Sequence, residues 1–280
     1  MSGWPRIGGV TALVRACHPE PTLAVTFLSG ALAASSGRDA RGVVAVVAAV
    51  LTGQLSVGWC NDYVDRDRDL RTGRQDKPLA RGDLPAAVVG VAALGALLVC
   101  VPLSLLSGWQ AGSLHVLAVL SAWAYDLGLK ATSLSVLPYA VSFGLLPAFI
   151  VLGRPGAHTV PAWLVAGGSL LGAGAHFANA LPDLDDDVRT GVRGLPHRLG
   201  PARSRWAAAL LLLAASAVLA IGPAGPPGVA GLAAPVVAVV VLTLGLVLGR
   251  RGGSRAAFRA VLVVAVIDVV LLLIRGPALG

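Results

Sequence analysis

Residues 42–62 read GVVAVVAAVLTGQLSVGWCND, and at Asn61 they run into a different kind of sequence, NDYVDRDRDLRTGRQDKPLARG, ending at Gly82. From Gly42 to Asn61 there is no Lys, Arg, Asp or Glu. Wound as a helix, a stretch of that length crosses a hydrocarbon core of ~30 Å. The charge that follows is abrupt, with five carboxylates between Asn61 and Gly82. An apolar span ending in a carboxylate patch points to a helical membrane protein with its chemistry at one end of the span.

Eight further apolar runs flank this one. Together they predict nine spans at about 20–36, 42–62, 85–106, 109–126, 134–153, 160–180, 205–222, 228–249 and 257–274. The chain is 56% hydrophobic and 13% charged with a mean hydropathy of +0.78, where a soluble domain carries about 25% charge. The 35 glycines suit close helix approach in lipid. Alternating barrel-type strands are absent, so the expected fold is an all-α integral membrane bundle, residues 1–280 forming one domain.

Lys and Arg orient the bundle. With the N-terminus in the cytoplasm, 18 basic residues fall inside and four (Arg38, Arg41, Arg154 and Arg275) outside. The net charge of +8 follows from this asymmetry, so it implies contact with anionic lipid headgroups rather than nucleic acid. Cys17, Cys60 and Cys100 have no metal or disulfide spacing. Pro5 and the run His18-Pro19-Glu20-Pro21 break any signal-peptide pattern, leaving an amphipathic lead-in before the first span. Two lysines against many arginines, with abundant Ala and Gly, suggest a GC-rich bacterial genome and a plasma-membrane address.

The carboxylate patch occurs twice. Asn61–Gly82 and Asn179–Gly200 align without a gap and are identical at nine of 22 positions, among them Asn61/Asn179, Asp65/Asp183, Asp69/Asp187, Arg71/Arg189, Gly73/Gly191, Pro78/Pro196 and Gly82/Gly200. Composition alone gives about 2 such matches. The repeat relates the second and sixth spans, and nine of the 14 Asp and Glu lie in its two copies. Spacings of three and four residues set Asn61, Asp65 and Asp69 on one helical stripe with Asp62 beside it, and Asn179, Asp183 and Asp187 on another. Pro182 is expected to kink the sixth span and aim that second stripe.

Like charges at i, i+4 repel, so the stripes require counter-charge. Facing carboxylates suit hard divalent cations, and Mg²⁺ usually combines one or two carboxylates with phosphate oxygens. The implied ligand is a diphosphate. Gly73 and Gly191 let the helices end. Arg71, Lys77, Arg81, Arg189, Arg193 and Arg198 then reach phosphate from the same face. Tyr125, Asp126 and Lys130 close the fourth span at that level. An acidic run in a single copy reads as a solvated cap, and the duplication reverses that reading. Arg203, Arg205, Arg250, Arg251, Arg255 and Arg259 read as ordinary positive-inside residues, while His115 and Phe143 read as packing. Asp268 within the ninth span reads equally as functional or as one end of a helix–helix hydrogen bond.

These residues resemble a known family. N-D-x-x-D-x-x-x-D at Asn61–Asp69 resembles the first signature of UbiA-type intramembrane prenyltransferases, and D-x-x-x-D at Asp183–Asp187 the second. Lys77-Pro78-Leu79, Leu195-Pro196, the Tyr125–Lys130 element, and Arg15 with Pro19 are also similar to that family. The resemblance implies a lipid-open cavity for a polyprenyl diphosphate bridged by Mg²⁺ to both motifs. Asn61, Asp65, Asp69, Asp183 and Asp187 would organise the metal, supported by Asp62. Lys130, Lys77, Asn179, Arg71, Arg189 and Arg193 would hold the substrate, and Arg15 and Tyr125 would contact diphosphate or acceptor.

The chemistry follows from charge. Cations stabilise the leaving diphosphate, C1 becomes allylic-cationic, and a lipophilic acceptor captures it in a dry cavity. Trp59 and Phe177, matched in the two copies, are candidate aromatic partners of that cation, with core packing as the simpler role. A membrane terpene cyclase, in which the isoprenoid's own alkene captures the cation, uses the same ionisation. A cation-coupled transporter would instead place its carboxylates near the midplane. Acceptor, chain length and oligomeric state are not encoded legibly.

Overall fold

The computed structural model describes residues 8–74, 77–182, 184, 187, 191–252 and 255–275, apart from the side chains of 246, 248–252, 255, 257 and 258. Eleven α-helices occur among these residues: α1 Gly9–Ala16, α2 Pro19–Ser35, α3 Ala40–Thr72, α4 Pro78–Arg81, α5 Ala86–Leu105, α6 Trp109–Leu127, α7 Val136–Leu152, α8 Ala162–Ala180, α9 Leu195–Ile221, α10 Gly228–Gly252 and α11 Arg255–Ile274. A 3₁₀ turn, Leu129–Ala131, follows α6. Each of the nine predicted spans falls on a helix. Four helices among the described residues are long and apolar enough to cross a membrane: α3, α5, α9, and α10 through Gly245. Val136–Leu152 is a shorter apolar helix.

Outward-facing apolar side chains such as Val91, Leu98 and Val229, each more than 70% exposed, suit a lipid surface. Inside, one core joins Leu171, Phe177 and Leu212 to Val261 and Val264, across α8, α9 and α11. A second joins Leu32, Val46 and Val50 to Phe149, Ile150 and Leu164, across α2, α3, α7 and α8. The α7–α8 seam is set by glycine: a Cβ at Gly172 would lie 2.4 Å from the Tyr139 carbonyl oxygen. That close approach brings Tyr139 and Phe143 over the interior.

Three features position the site. Helix α3 has 33 residues, about 50 Å. Its apolar part is therefore long enough to cross a bilayer and leaves a charged overhang of roughly 15 Å beyond Asn61. Gly73 ends it in the left-handed region, φ 67°. The kink expected at Pro182 takes the form of a break: α8 stops at Ala180, Leu181 and Pro182 form a turn, and Leu184 and Asp187 are helical again, because proline lacks the N–H that would carry the helix through. The second stripe therefore does not continue along α8 from Asn179 to Asp187. The two copies nevertheless share backbone devices. Gly73 and Gly191 both have positive φ, as do Gly82 and Gly200, and Pro78 and Pro196 sit in the first turns of α4 and α9.

Candidate active site

The α3 overhang holds three buried carboxylates, Asp62, Asp65 and Asp69. Such a stripe is stable only with counter-charge, and cations from distant elements supply it. Asp62 Oδ1 accepts from Lys77 Nζ at 2.5 Å and lies 3.0 Å from His18 Nε2. Asp65 meets Lys130 Nζ at 2.5 Å and Arg68 Nη2 at 3.0 Å, and accepts from Asn61 Nδ2 at 3.2 Å. The Asn61 amide also donates to Asp126 Oδ1 at 2.9 Å. In the second copy Asp187 lies 3.1 Å from His197 Nε2. Asp69 lies beyond the apolar span, and burial raises its carboxyl above the ordinary value while Lys77 and Arg68 pull it down.

His18, between α1 and α2, has φ 55° and ψ 70°. A side-chain-bearing residue is strained there by about 1 kcal/mol or more. Its contacts with Asp62 and with Lys77 Nζ, 2.9 Å away, hold that conformation and place the ring at the mouth of the interior.

Arg68 links the two patches. Its Nη2 is 3.0 Å from Asp65, its Nε 3.9 Å from Asp69 and its Nη1 3.9 Å from Asp187. One planar cation thus reaches carboxylates from both copies, which makes their meeting point a place for positive charge. The donors are hard oxygens, the type Mg²⁺ or Ca²⁺ takes. Oδ2 of Asp62 and of Asp126 are buried with no hydrogen-bond partner among the described residues, so acceptor capacity remains there. The residues fit a divalent cation, although the described residues alone form no cluster of three or more close ligands.

Beneath this cluster lies a cavity of about 350 Å³ between α2, α3, α6, α7 and α8. Its polar mouth is formed by His18, Asn61, Asp126 and Asn179, one helical turn of α3 from Asp65. Val25, Val57, Ala118, Val119, Ala122 and Leu146 make apolar walls. Aromatic rings stand at one side: Tyr125 packs edge-on against Tyr139 with centroids 5.2 Å apart, and Tyr139 stacks on Phe143. Asn179 and Tyr139 both line this cavity.

Of the predicted residues, Asn61, Asp65, Asp69, Lys130 and Asp187 meet in one network, Asp62 and Lys77 pair beside it with His18, and Tyr125 and Asn179 line the cavity below. Arg15 is exposed and has no side-chain bond among the described residues. Arg71 is exposed and donates to the Asp67 carbonyl, and Arg193 is also exposed, so these three do not join the network. Asp183 and Arg189 lie outside the described residues.

The expectation that His115 and Phe143 only pack is corrected, because both line the cavity. Trp59 and Phe177 take the packing role. Trp59 donates to the Leu13 carbonyl at 2.8 Å, and Phe177 belongs to the α8–α9 core. Sequence reasoning missed Arg68, His18, Tyr139 and His197 as members of the site.

Comparison with known proteins follows the same lines. The UbiA prenyltransferase family matches residues 22–273. A digeranylgeranylglyceryl phosphate synthase of Natronomonas pharaonis is 27% identical over 208 residues, covering 73% of each chain. A UbiA homologue from Aeropyrum pernix K1 shares the fold with a TM-score of 0.72 at 21% identity, covering 91% of this chain and 98% of that one. A UbiA homologue from Archaeoglobus fulgidus bound to DMAPP and Mg²⁺ gives 0.71 at 15% identity, over 93% and 97%.

Proposed function

The chain belongs to the UbiA prenyltransferase family, and on that premise we propose that it transfers a prenyl group from a polyprenyl diphosphate to a lipophilic acceptor within the membrane, with Mg²⁺ as its cation. The observation that carries the proposal is the convergence of Asp65, Asp69 and Asp187 on one positive centre above an apolar cavity. Asp65, Asp69 and Asp187, with Asp183 and Asn61, would hold the metal, and Asp62 would support them. When bound, Mg²⁺ would supply charge neutralisation at the diphosphate oxygens.

The chain's own residues do the rest. Lys130 and Lys77, freed from Asp65 and Asp62, meet the charge that develops as the C1–O bond breaks and both electrons leave with diphosphate. The rings of Tyr125, Tyr139 and Phe143 face the allylic cation, and the apolar walls keep water from it. An electron pair of the acceptor forms the new bond to C1, and the acceptor's proton leaves with the diphosphate. The positive-inside pattern supports a multi-pass protein with this site on the cytoplasmic side, and the Arg-rich, Lys-poor composition supports a bacterial plasma membrane.

The test is diphosphate release by protein in lipid, from geranyl, farnesyl and geranylgeranyl diphosphates. Aromatic acceptors and a glyceryl phosphate ether, which the curated relative's name suggests, would be offered with and without Mg²⁺. Release requiring metal and one acceptor class is expected, with Asp65→Ala plus Asp187→Ala inert. Metal-dependent release without acceptor, giving a cyclic hydrocarbon, would replace transfer with cyclisation.

A further inference from the structure

The cavity is not apolar to its end. His115 lies eleven residues before Asp126 on α6, and Gln54 seven before Asn61 on α3. That sets them about 16 Å and about 10 Å below the polar mouth. Both line the cavity, and His115 is 3% exposed. Its ring stacks on Phe149 with centroids 4.6 Å apart, and Nδ1 faces Ser104 Oγ at 2.7 Å.

The proton on that ring can be placed. Ser104 donates its only hydrogen to the Cys100 carbonyl at 2.6 Å, and the Cys100 thiol donates to the Ala49 carbonyl. With the serine hydrogen on the Cys100 carbonyl, Nδ1 is the donor to Ser104. No carboxylate faces His115 among the described residues, so the ring carries one proton, and Nε2 presents a lone pair to the cavity. Gln54 makes no side-chain hydrogen bond among the described residues, so its amide is free to take a ligand. The neighbouring Ser142 is already committed to the Ala118 carbonyl at 2.8 Å.

We infer that His115 and Gln54 form a subsite for a hydroxyl group at the remote end of a lipophilic ligand, the hydroxyl donating to His115 Nε2 and accepting from the Gln54 amide. This rests on the reading of the cavity as the isoprenoid site. So far from the mouth, the hydroxyl is an anchor and not the attacking nucleophile. It belongs either to the isoprenoid tail or to a separate lipophilic alcohol. A site built for a hydroxyl rejects the molecule that lacks it, because its own polar groups would be left unpaired.

The experiment is equilibrium binding to protein in lipid nanodiscs with Mg²⁺, using unreactive S-thiolodiphosphates. The first arm compares the farnesyl and geranylgeranyl compounds with their ω-hydroxylated analogues. The second fills the mouth with the geranyl compound and compares octan-1-ol with octane. A preference for the hydroxyl of roughly tenfold in the first arm identifies the tail as its source, and in the second arm alone a separate alcohol. That preference should vanish in His115→Phe and in Gln54→Leu, whose cooperative melting in the same nanodiscs shows the variants to be folded. Ser104→Ala frees the ring proton to move to Nε2, so the preference should pass from the hydroxyl to its methyl ether. Equal binding of all pairs, or a preference surviving in both variants, overturns the subsite and leaves the pair to an ordered water. Failure of every prenyl compound to bind overturns the reading of the cavity, and this inference with it.

Discussion

Lys130 Nζ lies 2.5 Å from Asp65 Oδ1, joining side chains 65 residues apart. Both are nearly buried, at 10% and 7% side-chain exposure. Removing one member of such a pair costs more than removing both, because the survivor loses counter-charge, Asp65 keeping only Arg68 among the described residues. Lys130→Ala is expected to destabilise the protein by about 3 kcal/mol, and Asp65→Asn added to it should restore part of that loss. Thermal unfolding of the two single variants and the double variant in lipid checks the sign of the coupling. A purely additive double variant would show that the contact contributes nothing in the membrane.

Arg68 holds Asp65, Asp69 and Asp187 together without metal. Replacing it by Gln leaves three carboxylates facing one another, so the folded state of the variant should depend on a divalent cation. The expected result is a melting temperature that rises with Mg²⁺ more steeply in Arg68→Gln than in the native protein, and falls with chelator. Mg²⁺ insensitivity of the variant would remove these carboxylates from any metal site.

Burial raises the Asp69 carboxyl above its ordinary value. In the window between its unfolded and folded values the native state binds more protons than the unfolded chain, so stability from this group falls as pH rises through that window. Asp69→Asn, which cannot ionise, should be more stable than the native protein at pH 7 in chelator, and should lose turnover by at least about 100-fold, the scale of a lost electrostatic group. Denaturation at pH 4 and pH 7 tests this: the advantage of the variant should shrink at the lower pH. An advantage that is unchanged or larger at pH 4 would reject burial as the cause.

How much was legible follows from these residues. The carboxylates and Lys77 were visible in the sequence because they sit in the repeated stretches, and Lys130 because it closes the fourth span at the same level. Arg68 was not, since in sequence it is one basic residue among many on an inner loop, and only the fold sets it between copies. Tyr139, Phe143 and His115 were missed for a similar reason. Aromatic residues on apolar helices carry no sign of which face lines a cavity, and it is the glycines of α8 that place the α7 rings. The kink expected at Pro182 became a break between α8 and the helical residues Leu184 and Asp187, because proline cannot donate the hydrogen bond that would carry the helix through. Arg15, Arg71 and Arg193 were assigned by motif position, and all three are exposed.

Asp268 is completely buried on α11, and Ser216 of α9 donates a short hydrogen bond to its Oδ1. Its Oδ2 has no partner among the described residues. The contact supports the helix–helix reading over a catalytic one. Ser216→Ala should cost about 1–3 kcal/mol, since it strands a buried carboxyl, whereas Ser216→Ala with Asp268→Val should recover most of that stability and keep native turnover. Loss of turnover in the stable double variant would return Asp268 to the mechanism.

Gly58 of α3 faces the junction of α1 and α2, where a Cβ would lie 2.2 Å from the Cys17 carbonyl oxygen and 2.6 Å from its carbon. These are backbone atoms, and Thr22 Oγ1 already bonds that carbonyl at 2.9 Å, so the neighbour cannot simply turn aside. The next residue is His18, whose strained conformation sets it on Asp62, one helical turn along α3 from Gly58. Gly58→Ala must push the junction away from α3 and lengthen the His18–Asp62 contact. A loss of at least 2 kcal/mol is expected, in the range of overpacked core positions, together with weaker binding of prenyl diphosphate. Gly95 of α5 is the control, because its Cβ would meet nothing within 4 Å. There Ala should be neutral or stabilising by about 0.5–1 kcal/mol through reduced freedom of the unfolded chain. Melting curves and farnesyl diphosphate affinities of the two variants separate the cases. If Gly58→Ala melts and binds like Gly95→Ala, the junction is not held against α3, and the placement of His18 has another cause.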